Sequence, residues 1–177
     1  HVYCLTMDII KGLYIGMVIC INDSIMHVQK NLKLFKPEIV LLVPMVIESI
    51  YAKLKDVSKL IPKKAAAHAA FGGNLRIICS GGAYLDPEYV DRFKEYGITI
   101  LQGYGMTECS PVISNNLEWD NRRGSVGKLL PNCQAKVVDD EIWVKGSSVM
   151  MGYYKMPEET AETLEDGWLK TGDLGYV

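Results

Sequence analysis

The chain has 177 residues, of which 49% are hydrophobic and 23% are charged, and its formal net charge at pH 7 is −2. These values are ordinary for a folded globular protein, and the chain is long enough for one domain with a proper core or for two small ones. The sequence has no block of basic residues, so its charge pattern does not indicate nucleic-acid binding. The longest apolar stretches, residues 13–21 and 39–47, are too short for a transmembrane helix, and peripheral contact with a membrane stays open.

The first two thirds of the chain alternate between short apolar runs and helical patterns. Helices are predicted to begin after Ser24, at Pro44 and at Pro87, and the last of these is predicted to end at Gly97. The apolar runs predict strands near residues 17–21, 39–43, 75–79 and 98–102. Continuous apolar strands separated by helices predict an α/β fold, a parallel sheet with helices on both faces.

From residue 117 onward the pattern changes to one rich in β-structure. Residues 134–138 and 141–145 predict a hairpin that turns at Asp139-Asp140, and a short helix is predicted to start near Pro157. We therefore divide the chain into a partial α/β subdomain, residues 1–116, and a partial β-rich subdomain, residues 117–177.

The cysteines indicate a reducing compartment. The five cysteines are scattered, odd in number and never in C-x-x-C spacing. This pattern argues against a disulfide framework and against a zinc site, and it predicts a cytoplasmic protein with reduced thiols. No signal peptide is visible. Because the chain starts at His1 without a methionine and stops at Val177 inside a predicted strand, we interpret it as a piece of a larger protein.

Glycine-rich loops follow two of the predicted strands. Ser80-Gly81-Gly82-Ala83 follows the third strand, and Gly103-Tyr104-Gly105-Met106-Thr107-Glu108 follows the fourth. In open parallel sheets, ligands bind beyond the carboxyl ends of the strands, so both loops are expected at that edge. The second loop offers a ring for stacking a nucleobase, a hydroxyl for a phosphate and a carboxylate for a divalent cation. Thr171-Gly172-Asp173 adds an acid suited to the two hydroxyls of a ribose.

Each motif has a plainer interpretation when taken alone. A Tyr-Gly loop more often packs than binds a nucleotide, Gly81-Gly82 could be a tight turn, and Asp173 could be a turn residue or a cap. Residues 124–128 imitate a phosphate loop, but Leu129 replaces the required Ser or Thr and no glycine stands five residues before Gly127. That segment is therefore expected to be structural.

Five blocks in one order resemble the adenylate-forming, or AMP-binding, superfamily of acyl-CoA synthetases, firefly-luciferase-like enzymes and peptide-synthetase adenylation domains. The blocks are residues 1–3, 80–83, 103–108, 141–154 and 167–173. Residues 107–114 and 124–128 are most similar to long-chain fatty acid–CoA ligases. In that family a phosphate loop precedes these blocks and a lysine-bearing domain follows them, so the resemblance implies an internal fragment of the large N-terminal domain. Asp140 departs from the family, which usually has glycine there.

The resemblance implies an acid–thiol ligase. The full-length protein would use ATP and Mg²⁺ to activate a carboxylic acid as acyl-adenylate, and it would transfer the acyl group to coenzyme A. The resemblance to one subfamily implies that the acid is a long-chain fatty acid. Thr107, Glu108 and His1 are implied in catalysis, with Glu108 also the Mg²⁺ ligand; His1 could equally be an ordinary helix-start histidine. The implied nucleotide-binding residues are Gly81, Gly82, Ala83, Gly103, Tyr104, Gly105, Met106, Thr107 and Asp173.

Two other functions stay open. The first is an adenylation domain that activates an amino acid or an aryl acid, for which Asp8 is the only acid near His1 that could pair with a substrate amine. The second is a non-catalytic nucleotide-binding module. A phosphate loop upstream and a lysine-bearing domain downstream would favour an enzyme over that module. Acyl chain length and oligomeric state stay open as well.

We expect the 177-residue chain to be inactive on its own and to bind AMP only weakly. A stacked base contributes ~1–3 kcal/mol, and a few such contacts, less the entropy of immobilising the ligand, leave a dissociation constant near millimolar or weaker. Titration with AMP and ATP by calorimetry or NMR measures this affinity. Micromolar binding of ATP, or acyl-CoA made by the chain alone, would contradict the prediction.

Overall fold

The computed structural model describes residues 2–177, and it contains two sheets with helices around the first. The α-helices are α1 (Val2–Cys4), α2 (Lys11–Tyr14), α3 (Val28–Phe35), α4 (Pro44–Val57), α5 (Lys63–Phe71), α6 (Glu88–Lys94) and α7 (Pro157–Thr163). A π-helical segment, Leu5–Ile10, joins α1 to α2, and 3-10 turns occupy Ile25–His27 and Thr107–Cys109. The strands are β1 (Ile39–Leu42), β2 (Ile77–Ser80), β3 (Thr99–Gly105), β4 (Val112–Asn115), β5 (Lys128–Leu129), β6 (Cys133–Val138), β7 (Glu141–Gly146), β8 (Leu164–Glu165) and β9 (Trp168–Leu174).

The first sheet has the strand order β1-β2-β3-β4-β5. Strands β1, β2 and β3 are parallel, with Ile78 opposite Ile100, whereas β4 and β5 are antiparallel to their neighbours. Three of the four predicted strands are therefore confirmed as one parallel group. The antiparallel β4 follows β3 after a short turn, since an antiparallel neighbour needs no crossover helix.

The strand predicted at residues 17–21 is wrong. This segment has no strand partner; the amide of Met17 instead bonds the carbonyl of Gly12, 2.8 Å away, at the end of α2. Val18 is 90% exposed and Ile21 is 72% exposed. An apolar, β-branched run favours a strand only where neighbouring strands and side chains can pack against it.

Helices flank the parallel strands on both faces. On one face, Ile78 and Ile100 are fully buried in a core with Phe71 of α5 and Phe93 of α6, joined by residues of α3 and α4. Cys79 alternates with Ile78 along β2 and so points to the other face. There its pKa is raised by burial and is also influenced by Lys11 and Asp8, which belong to the N-terminal helical segment.

The second sheet is antiparallel, with the order β6-β7-β9-β8. The predicted hairpin is confirmed: β6 pairs with β7, and Asp139 and Asp140 both have positive φ, at 50° and 66°. Two left-handed residues are typical of the hairpin turns whose twist matches that of the strands.

The chain passes from one sheet to the other between Leu129 and Cys133. The first sheet therefore includes β5, beyond the boundary proposed at residues 116 and 117, and the division into domains stays a prediction. Asn116 is buried, and its side-chain amide donates to the carbonyls of Gln102, at 3.1 Å, and Ser125, at 2.6 Å. These bonds tie the loop before β5 to β3.

Within residues 2–177, no helix is long and apolar enough to cross a membrane.

Gly127 tests the structural interpretation of residues 124–128. It has a φ of +86°, and a Cβ there would lie 2.0 Å from the carbonyl carbon of Asn115. We expect Gly127→Ala to lower the free energy of unfolding by about 3 kcal/mol or more, because the backbone itself must move. Gly16→Ala is the control, since Gly16 has a φ of +73° with nothing within 4 Å and should cost about 1 kcal/mol. Urea unfolding measures the free energy of unfolding of both variants. Equal losses in Gly127→Ala and Gly16→Ala would contradict the predicted collision with the backbone of Asn115.

Candidate active site

The two glycine-rich loops lie side by side at the carboxyl ends of β2 and β3. Ser80 is opposite Gln102 in the register, and a Cβ on Gly81 would lie 3.7 Å from the carbonyl oxygen of Gly103. Gly81 is buried, whereas Gly82 and Ala83 are exposed. The exposed loop backbone is therefore open to a ligand at the edge where the sheet topology predicts one.

Gly105 has a structural reason to be glycine. The pairing between β3 and β4 shifts register between Tyr104 and Gly105, and a Cβ on Gly105 would lie 1.9 Å from the carbonyl oxygen of Pro111. Any side chain would collide with the returning backbone. This glycine therefore shapes the loop, whether or not it contacts a ligand.

A hydrogen bond joins the two halves of the candidate site. The hydroxyl of Tyr104 donates to Oδ2 of Asp173 at 2.6 Å, across 69 residues of sequence. The ring of Tyr104 packs against the second core cluster, formed by Cys109, Ile113, Val144 and Leu169. Burial, followed by the bond to Asp173, raises the pKa of Tyr104 above its ordinary value. The phenol therefore stays protonated and able to donate.

The Thr171-Gly172-Asp173 turn is held from within. Thr171 is buried, and its hydroxyl donates to the carbonyl of Ile142 at 2.6 Å. The same oxygen accepts the amide of Asp173 at 3.1 Å. Thr171 therefore supports the turn, and the exposed Asp173 is left at its surface.

Glu141 holds the same turn from the neighbouring strand, a role that the sequence did not predict. Its Oε1 accepts the amide of Gly172 at 2.7 Å, and its Oε2 accepts the indole N–H of Trp143 at 2.9 Å. The available signal was the spacing of Glu141 and Trp143, which puts both side chains on one face of a strand.

Thr107 and Glu108 lie in the 3-10 turn after β3. Thr107 is exposed, and Glu108 is half-buried beside the fully buried Cys109. Oε1 of Glu108 accepts a hydrogen bond from the hydroxyl of Tyr153 at 2.8 Å, and this bond is the first cause of a raised pKa at Tyr153. Sequence reasoning assigned Tyr153 no role, although it lies in one of the matching blocks.

The donor set fits Mg²⁺ better than a transition metal. Residues 2–177 contain no group of three or more His, Cys, Asp or Glu side chains that could hold a metal ion. Magnesium is commonly held by one or two carboxylates together with substrate phosphates and water. Glu108 supplies one such carboxylate, and its bond to Tyr153 leaves Oε2 for a ligand.

Cys109 is not a nucleophile of this site. Burial, with smaller effects from Cys133 and Glu108, raises the pKa of its thiol to about 12. Because the thiolate is the reactive form, this cysteine is inert at neutral pH. It serves as packing under the turn that carries Glu108.

His1 lies outside the described residues. Asp8, the acid considered for an amine substrate, lies in the π-helical segment, where burial raises its pKa.

Residues 1–154 match the family of AMP-binding enzymes. The chain belongs to that family. It is 42% identical over 122 residues to the 4-coumarate–CoA ligase-like protein 4 of Oryza sativa subsp. japonica, covering 59% of this chain and 22% of the relative. It is 39% identical over 127 residues to a long-chain-fatty-acid–CoA ligase of Mycobacterium bovis, covering 71% of this chain and 21% of the relative. The chain thus spans about a fifth of each of these two relatives.

Solved structures share the fold. An anthranilate CoA ligase in complex with anthranoyl-AMP has a TM-score of 0.86 at 24% identity, over 99% of this chain and 35% of that one. The O-succinylbenzoate CoA synthetase of Bacillus subtilis, in complex with ATP and magnesium, has a TM-score of 0.76 at 26% identity, over 100% of this chain and 37% of that one. The predicted α/β fold with an added β-rich part is therefore confirmed.

The Tyr104–Asp173 bond predicts a pH dependence of stability. The folded-state pKa of Tyr104 is raised above the ordinary 10.0, so this stabilisation is fully present below about pH 10 and is lost as pH rises through the folded value. We expect the urea midpoint of the wild type to fall more steeply than that of Tyr104→Phe above about pH 10. Tyr84→Phe is the control, since Tyr84 is 82% exposed. Equal slopes for wild type and Tyr104→Phe would contradict the assignment.

Proposed function

We propose that the full-length protein is an ATP-dependent acyl-CoA synthetase. It activates a carboxylic acid as acyl-adenylate and transfers the acyl group to coenzyme A. The observation that carries the proposal is the hydrogen bond between Tyr104 and Asp173, with Glu108 on the same loop as Tyr104. The hydrogen bond joins a loop that offers a flat ring and an acid for a metal to an acid for a ribose, 69 residues away from Tyr104 in sequence. Membership of the AMP-binding family supports the same conclusion.

We propose a long-chain fatty acid as the substrate. The Mycobacterium bovis relative, which covers 71% of the chain, is named as a long-chain-fatty-acid–CoA ligase, and residues 107–114 and 124–128 resemble that group. The runner-up is an aryl acid, which is favoured by the 4-coumarate–CoA ligase-like relative. Comparing kcat/KM for palmitate and 4-coumarate separates the two.

The reaction has two displacements. The substrate carboxylate attacks the α-phosphorus of ATP, and pyrophosphate leaves. The thiolate of coenzyme A then attacks the carbonyl carbon of the acyl-adenylate, and AMP leaves. Negative charge grows on phosphate oxygens in the first step, so positioning and fixed donors supply most of the catalysis.

The residues of this chain have assigned tasks in the first displacement. The ring of Tyr104 stacks on adenine beside the Gly81-Gly82 backbone, and Asp173 accepts the ribose hydroxyls through Oδ1, since Oδ2 already accepts from Tyr104. The exposed hydroxyl of Thr107 donates to the α-phosphate. Glu108 would hold Mg²⁺, which when bound neutralises phosphate charge.

We also propose a cytoplasmic location. The five cysteines are free, and three of them are buried or half-buried. Free thiols persist where glutathione and thioredoxin keep them reduced.

Glu108→Gln tests the metal role. The change keeps the shape of the side chain and removes its charge, so we expect adenylation by the full-length protein to fall at least ~100-fold, about 2.7 kcal/mol of transition-state stabilisation. ATP–pyrophosphate exchange measures the step. Glu48→Gln, on the exposed side of α4, is the matched control and should leave the rate unchanged.

Two outcomes would count against the proposal. Unchanged exchange by Glu108→Gln at limiting Mg²⁺ would remove Glu108 as the metal ligand. A wild-type protein that binds ATP but exchanges no pyrophosphate with any acid offered would be a non-catalytic nucleotide-binding module.

A further inference from the structure

A tyrosine from outside the loop motifs reaches the predicted metal ligand. The hydroxyl of Tyr153 donates to Oε1 of Glu108 at 2.8 Å, across 45 residues of sequence. Next to it, the amide of Met150 donates to the main-chain carbonyl of Glu108 at 2.7 Å. The segment 150–153 therefore holds both the backbone and the side chain of Glu108.

The turn that carries Tyr153 is itself held by α7. The amide of Tyr153 donates to Oγ1 of Thr160 at 2.9 Å, and the Thr160 hydroxyl donates to the carbonyl of Met156 at 2.7 Å. Gly152 is packed so closely on Thr160 that a Cβ there would lie 2.7 Å from Cγ2 of that threonine. The backbone from which the Tyr153 side chain extends is therefore held in place by contacts between the turn and α7.

Packing does not account for Tyr153. Its neighbours Val149, Met150 and Leu164 pack against the second core cluster, but Tyr153 does not belong to that set among the described residues. Its ring is half-buried, and its polar end lies at Glu108 and beside the Thr163 hydroxyl. The hydroxyl makes the specific contact.

We propose that Tyr153 is a positioning residue for Glu108. A hydrogen bond to a charged oxygen is short and directional, so donation to Oε1 restricts rotation of the carboxylate and presents Oε2 to a divalent cation. Carboxylates that bind metal ions are commonly oriented by such partners, and loss of the partner typically weakens the site 10–100-fold. The inference rests on the proposed function for the role of Glu108 as the metal ligand.

The test is Tyr153→Phe in the full-length protein, with Mn²⁺ as the probe. We expect the affinity for Mn²⁺, measured by electron paramagnetic resonance with saturating ATP, to fall about tenfold. ATP affinity in the presence of a chelator should stay unchanged, because adenine and ribose are held elsewhere. The Mg²⁺ concentration for half-maximal pyrophosphate exchange should rise by a similar factor, and added Mg²⁺ should restore most of the rate.

Tyr154→Phe is the matched control. It makes the same chemical change one residue away, on a side chain that is 85% exposed, and it should leave Mn²⁺ affinity unchanged. Thr160→Val provides a second route, because it removes the hydroxyl that holds the turn without touching the Tyr153 hydroxyl. We expect a smaller loss of Mn²⁺ affinity from it.

The outcomes separate this inference from the proposed function. If Tyr153→Phe binds Mn²⁺ as tightly as the wild type does, the positioning role is overturned, even if activity falls. The same holds if Tyr154→Phe weakens Mn²⁺ binding equally, or if the wild type binds no Mn²⁺ with ATP. A wild type whose Mn²⁺ affinity with ATP falls in Tyr153→Phe, but which makes no acyl-adenylate, would refute the synthetase and leave the positioning role supported.

Discussion

The site depends on a small core shared between two sheets of different kinds. Cys109 and Ile113 come from the turn and strand after β3, whereas Val144 and Leu169 come from the second sheet, and all four are almost completely excluded from solvent. Their burial presses the loop after β3 against the second sheet. Two side-chain hydrogen bonds of the site, Tyr104 with Asp173 and Tyr153 with Glu108, cross the same junction. Non-directional apolar burial therefore provides the frame, and the directional hydrogen bonds define the geometry.

Much of the fold could be predicted from the sequence because local pattern and tertiary environment agree there. Strands β1 to β3 are continuous apolar runs that the helices cover, and the hairpin at Asp139 is encoded by residues that tolerate left-handed backbone. At residues 17–21 the pattern is equally apolar, yet no strand partner is present and all the side chains except that of Ile19 are exposed. Strand formation depends on neighbouring strands and side chains as much as on the residues of the segment. The apolar pattern alone therefore predicted a strand at residues 17–21 wrongly.

The candidate site was predicted in part. Tyr104 and Glu108 were found because a glycine-rich loop after a parallel strand has a known geometric meaning, and Asp173 was found because an acid on a Thr-Gly-Asp turn suits the hydroxyls of a ribose. Their individual roles stay predictions. Tyr153 and Glu141 were not found, because Tyr153 contacts Glu108 across 45 residues and Glu141 contacts Gly172 across 31, and no local pattern reveals either pairing. Such supporting contacts exist only once the two sheets are packed. His1 lies outside the described residues, so its role stays a prediction.

The side chain of Glu141 links the outer face of the second sheet to the Thr171-Gly172-Asp173 turn. The ammonium of Lys136 lies 4.7 Å from the ring centre of Trp143 and 4.4 Å from that of Trp168, a cation–π arrangement of three half-buried side chains. Trp143 in turn donates to Glu141, whose other oxygen holds the amide of Gly172. Both oxygens of this carboxylate thus accept a hydrogen bond, one from a main-chain amide that any residue except proline supplies and one from an indole that only tryptophan supplies. Positions 141 and 143 are therefore coupled through this carboxylate: loss of the indole at 143 would free an acceptor at 141, beside a turn whose φ of +73° at Gly172 favours glycine.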